Sequence, residues 1–330
     1  MIYVLDVVIA YVLDLLFGDP QGITHPIRFV GGLIKNTEKF LRTKVILKFK
    51  NKAKAEILSG FILCAFVVVI VFALVFVILY LANVISPILF HIINIYIIYT
   101  AIATKCLADE AKKVYVKLEN RTLEEARVSL SWLVGRDTSN LTEEGVIRGV
   151  IETTAENTVD AVISPIFYAL LGSIFGLGAP VVYAFKAVST LDSMVGYKNE
   201  KYRYLGMASA RLDDILNFIP ARLAIIIIPI SAILLRFDGA RSFKTAIRDR
   251  KKHLSPNSAH GESAMAGALG VRLGGPNVYF GRVVNKPYIG DEVKPIEKVD
   301  IKKTINIMYL SSVVTMMIFI PIVLYIVWRI

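Results

Sequence analysis

The 330-residue chain is 55% hydrophobic and still carries 38 basic and 27 acidic side chains, for a net charge of +11. Both fit in one molecule only if charge and hydrophobicity are segregated, and three windows, 57–104, 161–185 and 305–328, hold 97 residues without a single Lys, Arg, Asp or Glu. About 20 apolar residues cross a bilayer as a helix, so a charge-free run of 48 residues excludes a single water-soluble core. The same composition excludes collagenous, disordered and disulfide-scaffold chains.

In chain order, residues 1–17 form a short apolar stretch that carries Asp6 and Asp14, with no basic leader and no small-residue cleavage site. It reads as a membrane-associated helix rather than a signal peptide. Residues 57–104 are long enough for two helices, near 57–82 and 84–104, with Asn83, Ser86 and Pro87 marking the break. Two later stretches, 161–185 and 215–235, are interrupted by Pro and Gly (Pro165, Gly172, Gly176, Gly178 and Pro180 in the first; Pro220 and Pro229 in the second). They read as broken or re-entrant, a form tolerated at membrane depth where backbone lines a cavity. Residues 305–328 give a last span. Thr122 with Glu125 forms a capping-box pattern, and no polar segment alternates with period two. The expected fold class is all-α: a polytopic integral membrane protein with helical cytoplasmic segments, organised as a single domain over 1–330.

Four polar segments separate the spans. Segments 18–56 and 236–303 carry 9 basic against 3 acidic and 14 against 7 side chains, and the positive-inside tendency places both in the cytoplasm. Segment 105–160 has 8 basic and 11 acidic side chains, and 186–214 has 5 and 4. The basic excess is thus a topology label with an attraction for anionic lipid, not a nucleic-acid footprint. Cys64 and Cys106 have neither disulfide nor zinc spacing.

Arg148, Glu152, Glu156 and Asp160 recur in steps of four and share one face of a helix that runs into an apolar stretch. The bland reading is a solvated face with Arg148 paired to Glu152. The functional one is hard oxygen ligation of magnesium carrying a nucleotide by Glu152, Glu156 and Asp160. Arg222 lies inside an apolar stretch just after Arg211, Asp213 and Asp214. Such an arginine either pairs internally with an aspartate or lines an anion pocket with Arg211. Residues 255–281 hold a Ser255–Pro256–Asn257 turn, Glu262 at the head of a small-residue helical run, and Gly270, Gly274, Gly275 and Gly281, which either pack closely or bring backbone near a phosphate. No GxxxxGK[ST] is present, so a nucleotide would not bind through a P-loop. His260 reads as a surface histidine or as part of that site, and His91 as a packed interior side chain. Asp19 reads as a turn or cap residue, and Lys186 as a snorkelling lysine or a phosphate contact.

The segments LDLLFGDPQGITHPIRFVGG, GRDTSNL, VIETTAENTVDAVISPIFYAL, FKAVSTLDSMVGYKNEKYRYLGMASARLDDILNFIPARL and SPNSAHGESAMAGALGVRLGGPN together resemble the adenosylcobinamide-phosphate synthase family (CobD/CbiB) of cobalamin biosynthesis, in order over nearly the whole chain. Ser189, Ala161 and the His260–Gly261 pair depart from the family pattern. The resemblance implies a multi-pass cell-membrane enzyme that joins aminopropanol, or its phosphate, to the free propionate carboxylate of adenosylcobyric acid as an amide. ATP and magnesium would supply the activation, through an acyl phosphate. Under it, Glu152, Glu156 and Asp160 hold magnesium–ATP, and Asp192, Asp213 or Asp214 complete the site or deprotonate the ammonium. Arg28, Arg136, Lys186 and Arg211, with Arg222, Asn257 and Lys198, contact phosphate or substrate, while His25 or Glu262 is the base. ATP use places these segments on the cytoplasmic face, with other pathway membrane enzymes as partners. The alternatives are a corrinoid transporter and a non-catalytic sensor of the same superfamily.

Overall fold

The computed structural model describes residues 1–19, 25–279 and 282–330. It is all-α apart from one β-hairpin, and the chain divides into two compact units, each assembled from separated stretches. Residues 1–102, 165–216 and 319–330 form the first unit, and 103–164 and 217–318 the second.

The first unit contains α1 (Ile2–Phe17), α2 (Ile27–Phe40), α3 (Lys52–Ile85), α4 (Pro87–Tyr99), most of α8 (Ser164–Ser173), α9 (Gly178–Val195) and α10 (Met207–Leu216). The predicted break between the first two long helices lies at Ser86. Its hydroxyl accepts the Ile88 N–H while Pro87 occupies the first helical position, where its missing N–H costs nothing. One face of α3 is buried every fourth residue, at Leu63, Val67, Val71, Val75 and Leu79, and packs on α9. The other faces leave Phe61, Phe66, Val69, Leu74 and Leu81 exposed. An exposed apolar face of this length fits lipid rather than water. Gly60 is needed where α3 crosses the start of α10: a Cβ there would stand 2.1 Å from the Leu205 carbonyl oxygen.

The second unit contains α5 (Thr104–Asn120), α6 (Leu123–Ser131), α7 (Glu143–Asn157), α11 (Phe218–Leu234), α12 (Gly239–Asp249), α13 (Ser258–Leu269) and the antiparallel strands β1 (Leu273–Tyr279) and β2 (Arg282–Ile289). The last helix, α14 (Lys298–Arg329), begins in this unit. Thr122 accepts the Glu125 N–H and starts α6 as the capping pattern required, although the Glu125 carboxylate pairs with Lys117 at 2.5 Å instead of returning to the cap. α13 is buried along its whole length, which Ala, Ser and Gly side chains permit, and it packs against α7, α11 and α12. The hairpin escapes period-two reading because Gly274, Gly275 and Pro276 replace alternating side chains at its start, and a register shift follows between Gly274 and Pro276. Gly274 and Gly275 take φ of 76° and 85°, values that favour glycine.

Among the described residues, three helical stretches are long and apolar enough to cross a membrane: Lys52–Ile85, Pro87–Asn120 and Lys298–Arg329. A fourth counts if α10 and α11 form one broken span. Both Pro/Gly-interrupted stretches are broken, the first between α8 and α9 at residues 174–177 and the second at Asn217. Cys64 and Cys106 are not joined in a disulfide. The chain is a multi-pass helical membrane protein.

Candidate active site

The densest polar core lies in the second unit, where α7 brings Glu152 and Glu156 against α13 and the hairpin. The approach is set by a glycine: a Cβ on Gly261 would lie 2.6 Å from the Ala155 carbonyl oxygen and 3.0 Å from the Val159 side chain. Only a bare backbone lets α13 come this close. The loop before α7 supplies Arg136. It is pinned by the Asp137 N–H to the Val278 carbonyl at 2.9 Å and by Thr138 to the Arg127 carbonyl at 3.0 Å. Arg136, 8% exposed, donates to Glu152 Oε2 at 2.5 Å and to the Asn277 side-chain oxygen. The Gly274 N–H donates to the other Glu152 oxygen at 2.7 Å. Gly149 makes room for this arginine, since a Cβ there would meet its guanidinium at 2.9 Å.

Glu156 accepts from the Ser258 hydroxyl at 2.7 Å. Glu262, one turn along α13, is 6% exposed and its carboxyl makes no hydrogen bond to a described residue. Burial, and then the neighbouring Glu156 and Glu152 carboxylates, raise its pKa well above the usual carboxylate range. Burial and the two carboxylates thus favour its protonated, hydrogen-bond-donating form over the carboxylate. His253 and Lys286 stand at the same core, His253 Nε2 3.5 Å from the lysine ammonium. Burial lowers the His253 pKa; Glu156 and Glu152 oppose that and Lys286 reinforces it.

Several expectations change here. Arg148 pairs with Glu144, not with Glu152. The stripe is interrupted at Thr158, where a π-helical turn (Thr158–Ile163) replaces the four-residue register before it reaches Asp160. Glu152 is committed at both oxygens and Glu156 at one. Among the described residues no three His, Cys, Asp or Glu side chains are placed to hold a metal ion. Glu152, Glu156 and Asp160 thus do not fit a resident magnesium. The glycines of the 270–281 run serve packing and turns: Gly270 caps α13 in the left-handed region and Gly274 receives Glu152. Gly281 lies outside the described residues. His260 is not a surface histidine; it is 2% exposed because all of α13 is buried. Its Nδ1 lies 3.0 Å from the Asn257 carbonyl oxygen, and burial, then the Arg222 charge, lower its pKa to about 4.

Among the described residues Arg222 makes no ion pair with an aspartate. It donates to the Phe218 carbonyl at 2.9 Å and to the Asn257 side-chain oxygen at 2.8 Å, with its guanidinium 3.4 Å from the Phe218 ring centroid. His91 is not merely packed: its Nδ1 lies 2.8 Å from the buried Asp6, which also accepts from Asn94 at 2.7 Å.

The remaining candidates, His25, Arg28, Lys186, Asp192, Lys198, Arg211, Asp213 and Asp214, belong to the first unit. Arg28, Lys198 and Arg211 are exposed, and Lys186, Asp192, Asp213 and Asp214 are half-buried. His25 accepts the Ile27 N–H at 3.1 Å. Burial lowers its pKa, Asp19 raises it and Lys186 lowers it further. His253, Lys286 and Ser258 are the site residues that sequence reasoning missed. His253 sits in the basic run RDRKKH, which reads as a solvated charge cluster, and nothing in a strand lysine announces a histidine partner on another element.

The CobD/Cbib protein family matches residues 7–308. Curated relatives named cobalamin biosynthesis protein CobD include one from Clostridium perfringens, 48% identical with 95% of this chain and 96% of that protein covered, and one from Citrobacter koseri, 46% identical with 95% of each covered. The cobalamin biosynthesis protein CbiB of Salmonella paratyphi B is 44% identical with 94% and 95% covered. No solved structure matches the chain.

Proposed function

Because the chain belongs to the CobD/CbiB family and so has a role in cobalamin biosynthesis, we propose that it is the membrane enzyme that joins the free propionate carboxylate of adenosylcobyric acid to aminopropanol phosphate as an amide, with ATP consumed. The observation that carries this reading is a pair of carboxyl groups on facing helices: Glu156 on α7, held by Ser258, and Glu262 on α13, whose burial favours its protonated form and which makes no hydrogen bond to a described residue.

Amide formation from a carboxylate needs a better leaving group than oxide. One carboxylate oxygen attacks the γ-phosphorus of ATP, giving an acyl phosphate and ADP. The amine then attacks the acyl carbon and phosphate leaves. An aliphatic amine is an ammonium at neutral pH and must lose a proton first. Glu156 has one oxygen held by Ser258, which fixes the carboxylate, and the second oxygen is the acceptor for that proton. The attack places negative charge on the acyl oxygen. A neutral carboxylic acid kept in a dry site stabilises such charge by hydrogen bonding, and this is the role of Glu262. Arg136 and the Gly274 N–H hold Glu152 as the fixed wall of the site. Magnesium enters as part of the nucleotide substrate, and ATP use places the site on the cytoplasmic side.

Purified protein given adenosylcobyric acid, aminopropanol phosphate and ATP should form the amide, detected by its mass. Glu156→Gln should still insert in the membrane and make at least about 100-fold less product. Normal turnover in that variant would remove Glu156 from the mechanism, and absence of product with the wild type would remove the reaction.

A further inference from the structure

α11 is the apolar half of the fourth candidate span. Ile219, Ile226 and Ile233 recur every seventh residue along it, each more than half exposed, so one face of this helix meets lipid. Charge resumes directly after Leu234, at Arg236, Asp238, Arg241 and Lys244, which sets the end of α11 at a membrane–water boundary. α12 starts at that boundary and is locked to it. A Cβ on Gly239 would stand 2.3 Å from the Ile233 side chain and 2.7 Å from the Pro229 carbonyl oxygen, and the Asp238 carboxylate starts the new helix by accepting the Arg241 N–H at 2.8 Å.

The two faces of α12 differ in kind. The inner face, with Ser242, Thr245, Ala246 and Asp249, is buried. Ser242 donates to the Ala264 carbonyl at 2.7 Å and Arg241 to the Gly267 carbonyl at 2.9 Å, which ties α12 to the helix that carries Glu262. The outer face is split lengthwise. Phe243 and Ile247, one turn apart and 46% and 44% exposed, make an apolar edge. Lys244 and Arg248, with Lys251 just past the helix end, make an exposed basic edge beside it. An apolar edge flanked by basic side chains suits a helix lying in the bilayer surface, its apolar groups among acyl chains and its cations at phosphate depth.

A cleft of about 440 Å³ opens on the basic edge, lined by Asp238, Arg241, Lys244, Arg248 and Asp291 among others. Both acids are engaged: Asp238 lies 3.6 Å from the Arg241 guanidinium and Asp291 2.9 Å from that of Arg248. Lys244, the third cation, is exposed and forms no ion pair with a described residue, so the cleft has one positive charge left for an anion from outside.

We propose that α12 is an anionic-lipid anchor: Phe243 and Ile247 enter the leaflet at the end of α11, and the cleft at Lys244 receives the phosphate of an anionic phospholipid. Continuity with the lipid-facing edge of α11 and the basic charge of the cleft select such a lipid over a protein partner. Because α12 lies against α13, the anchor fixes the wall of the candidate active site to the membrane surface.

The test places p-benzoylphenylalanine in place of Phe243 in the full-length protein, held in lipid nanodiscs of equal phosphatidylglycerol and phosphatidylcholine. Illumination should give phospholipid adducts, read by intact mass spectrometry, with phosphatidylglycerol favoured at least about threefold. Lys244→Gln with Lys251→Gln in the same protein should keep the adducts and bring the two lipids to parity; both lysines are exposed, so the protein stays folded, as its thermal unfolding verifies. A cross-linked dimer in place of lipid adducts, or no adduct, would show that this face meets a second copy or water and would overturn the anchor. Lipid adducts at parity in the protein with both lysines, or a preference that persists without them, would overturn the headgroup site.

Discussion

Replacing Arg136 by Met removes the only guanidinium that contacts Glu152 among the described residues and leaves that carboxylate buried. At 2.5 Å and an effective dielectric of about 20, the attraction between the two charges is about 6–7 kcal/mol before desolvation is counted. Both residues are less than a tenth exposed, so desolvation of the pair is nearly complete and offsets part of that attraction. What remains visible is the cost of an orphaned charge, about 3–5 kcal/mol when one partner of a buried pair is deleted. Glu152→Gln keeps an acceptor for the Gly274 N–H and removes the charge. In the Arg136→Met background it should therefore recover at least half of the loss. The two changes are then strongly non-additive, with a coupling of at least about 1.5 kcal/mol. Equilibrium unfolding of the solubilised protein, followed by far-UV circular dichroism, measures all four corners of the cycle. A cost below about 1 kcal/mol for Arg136→Met, or simple additivity with Glu152→Gln, would refute the account of this knot.

Asp249 is fully buried and accepts from Arg248, from Lys252 and from the Gly290 N–H. Burial alone would raise its pKa, but these donors together hold it well below the usual carboxylate range. A carboxylate whose folded pKa is depressed contributes stability above its unfolded value and loses it as pH falls. Wild type should lose thermal stability progressively below about pH 4, whereas Asp249→Asn should be weaker at pH 7 and flatter on the acid side; parallel acid limbs would contradict this. Gly261→Ala forces a methyl against the Ala155 carbonyl and should cost about 1–3 kcal/mol in unfolding experiments, with product formation falling as α7 and α13 separate. An unchanged variant would show that the close approach is not required.

Hydropathy segregation made the membrane class and the long helices legible, because charge-free runs of that length have one physical use. Ser86–Pro87 was legible as a break for equally local reasons. The stripe at Arg148, Glu152, Glu156 and Asp160 marked one helix face but not the partners of its charges. Helical spacing says which residues share a face, not that Arg136, 16 residues earlier, or Gly274, 122 residues later, meets Glu152. Glu262 stood out among small residues, yet its protonation depends on two carboxylates from another helix. His253 was hidden in a basic run, where most charges are solvated. Long-range contacts of this kind leave no periodic trace.

The account stands or falls on how the carboxylate is activated. With the free propionate of adenosylcobyric acid labelled with ¹⁸O in both carboxylate oxygens, the purified protein, ATP and aminopropanol phosphate should yield the amide, ADP and inorganic phosphate that carries one ¹⁸O, read by mass spectrometry. Amide formed with no label in phosphate, or with the label in AMP, would contradict the acyl phosphate route.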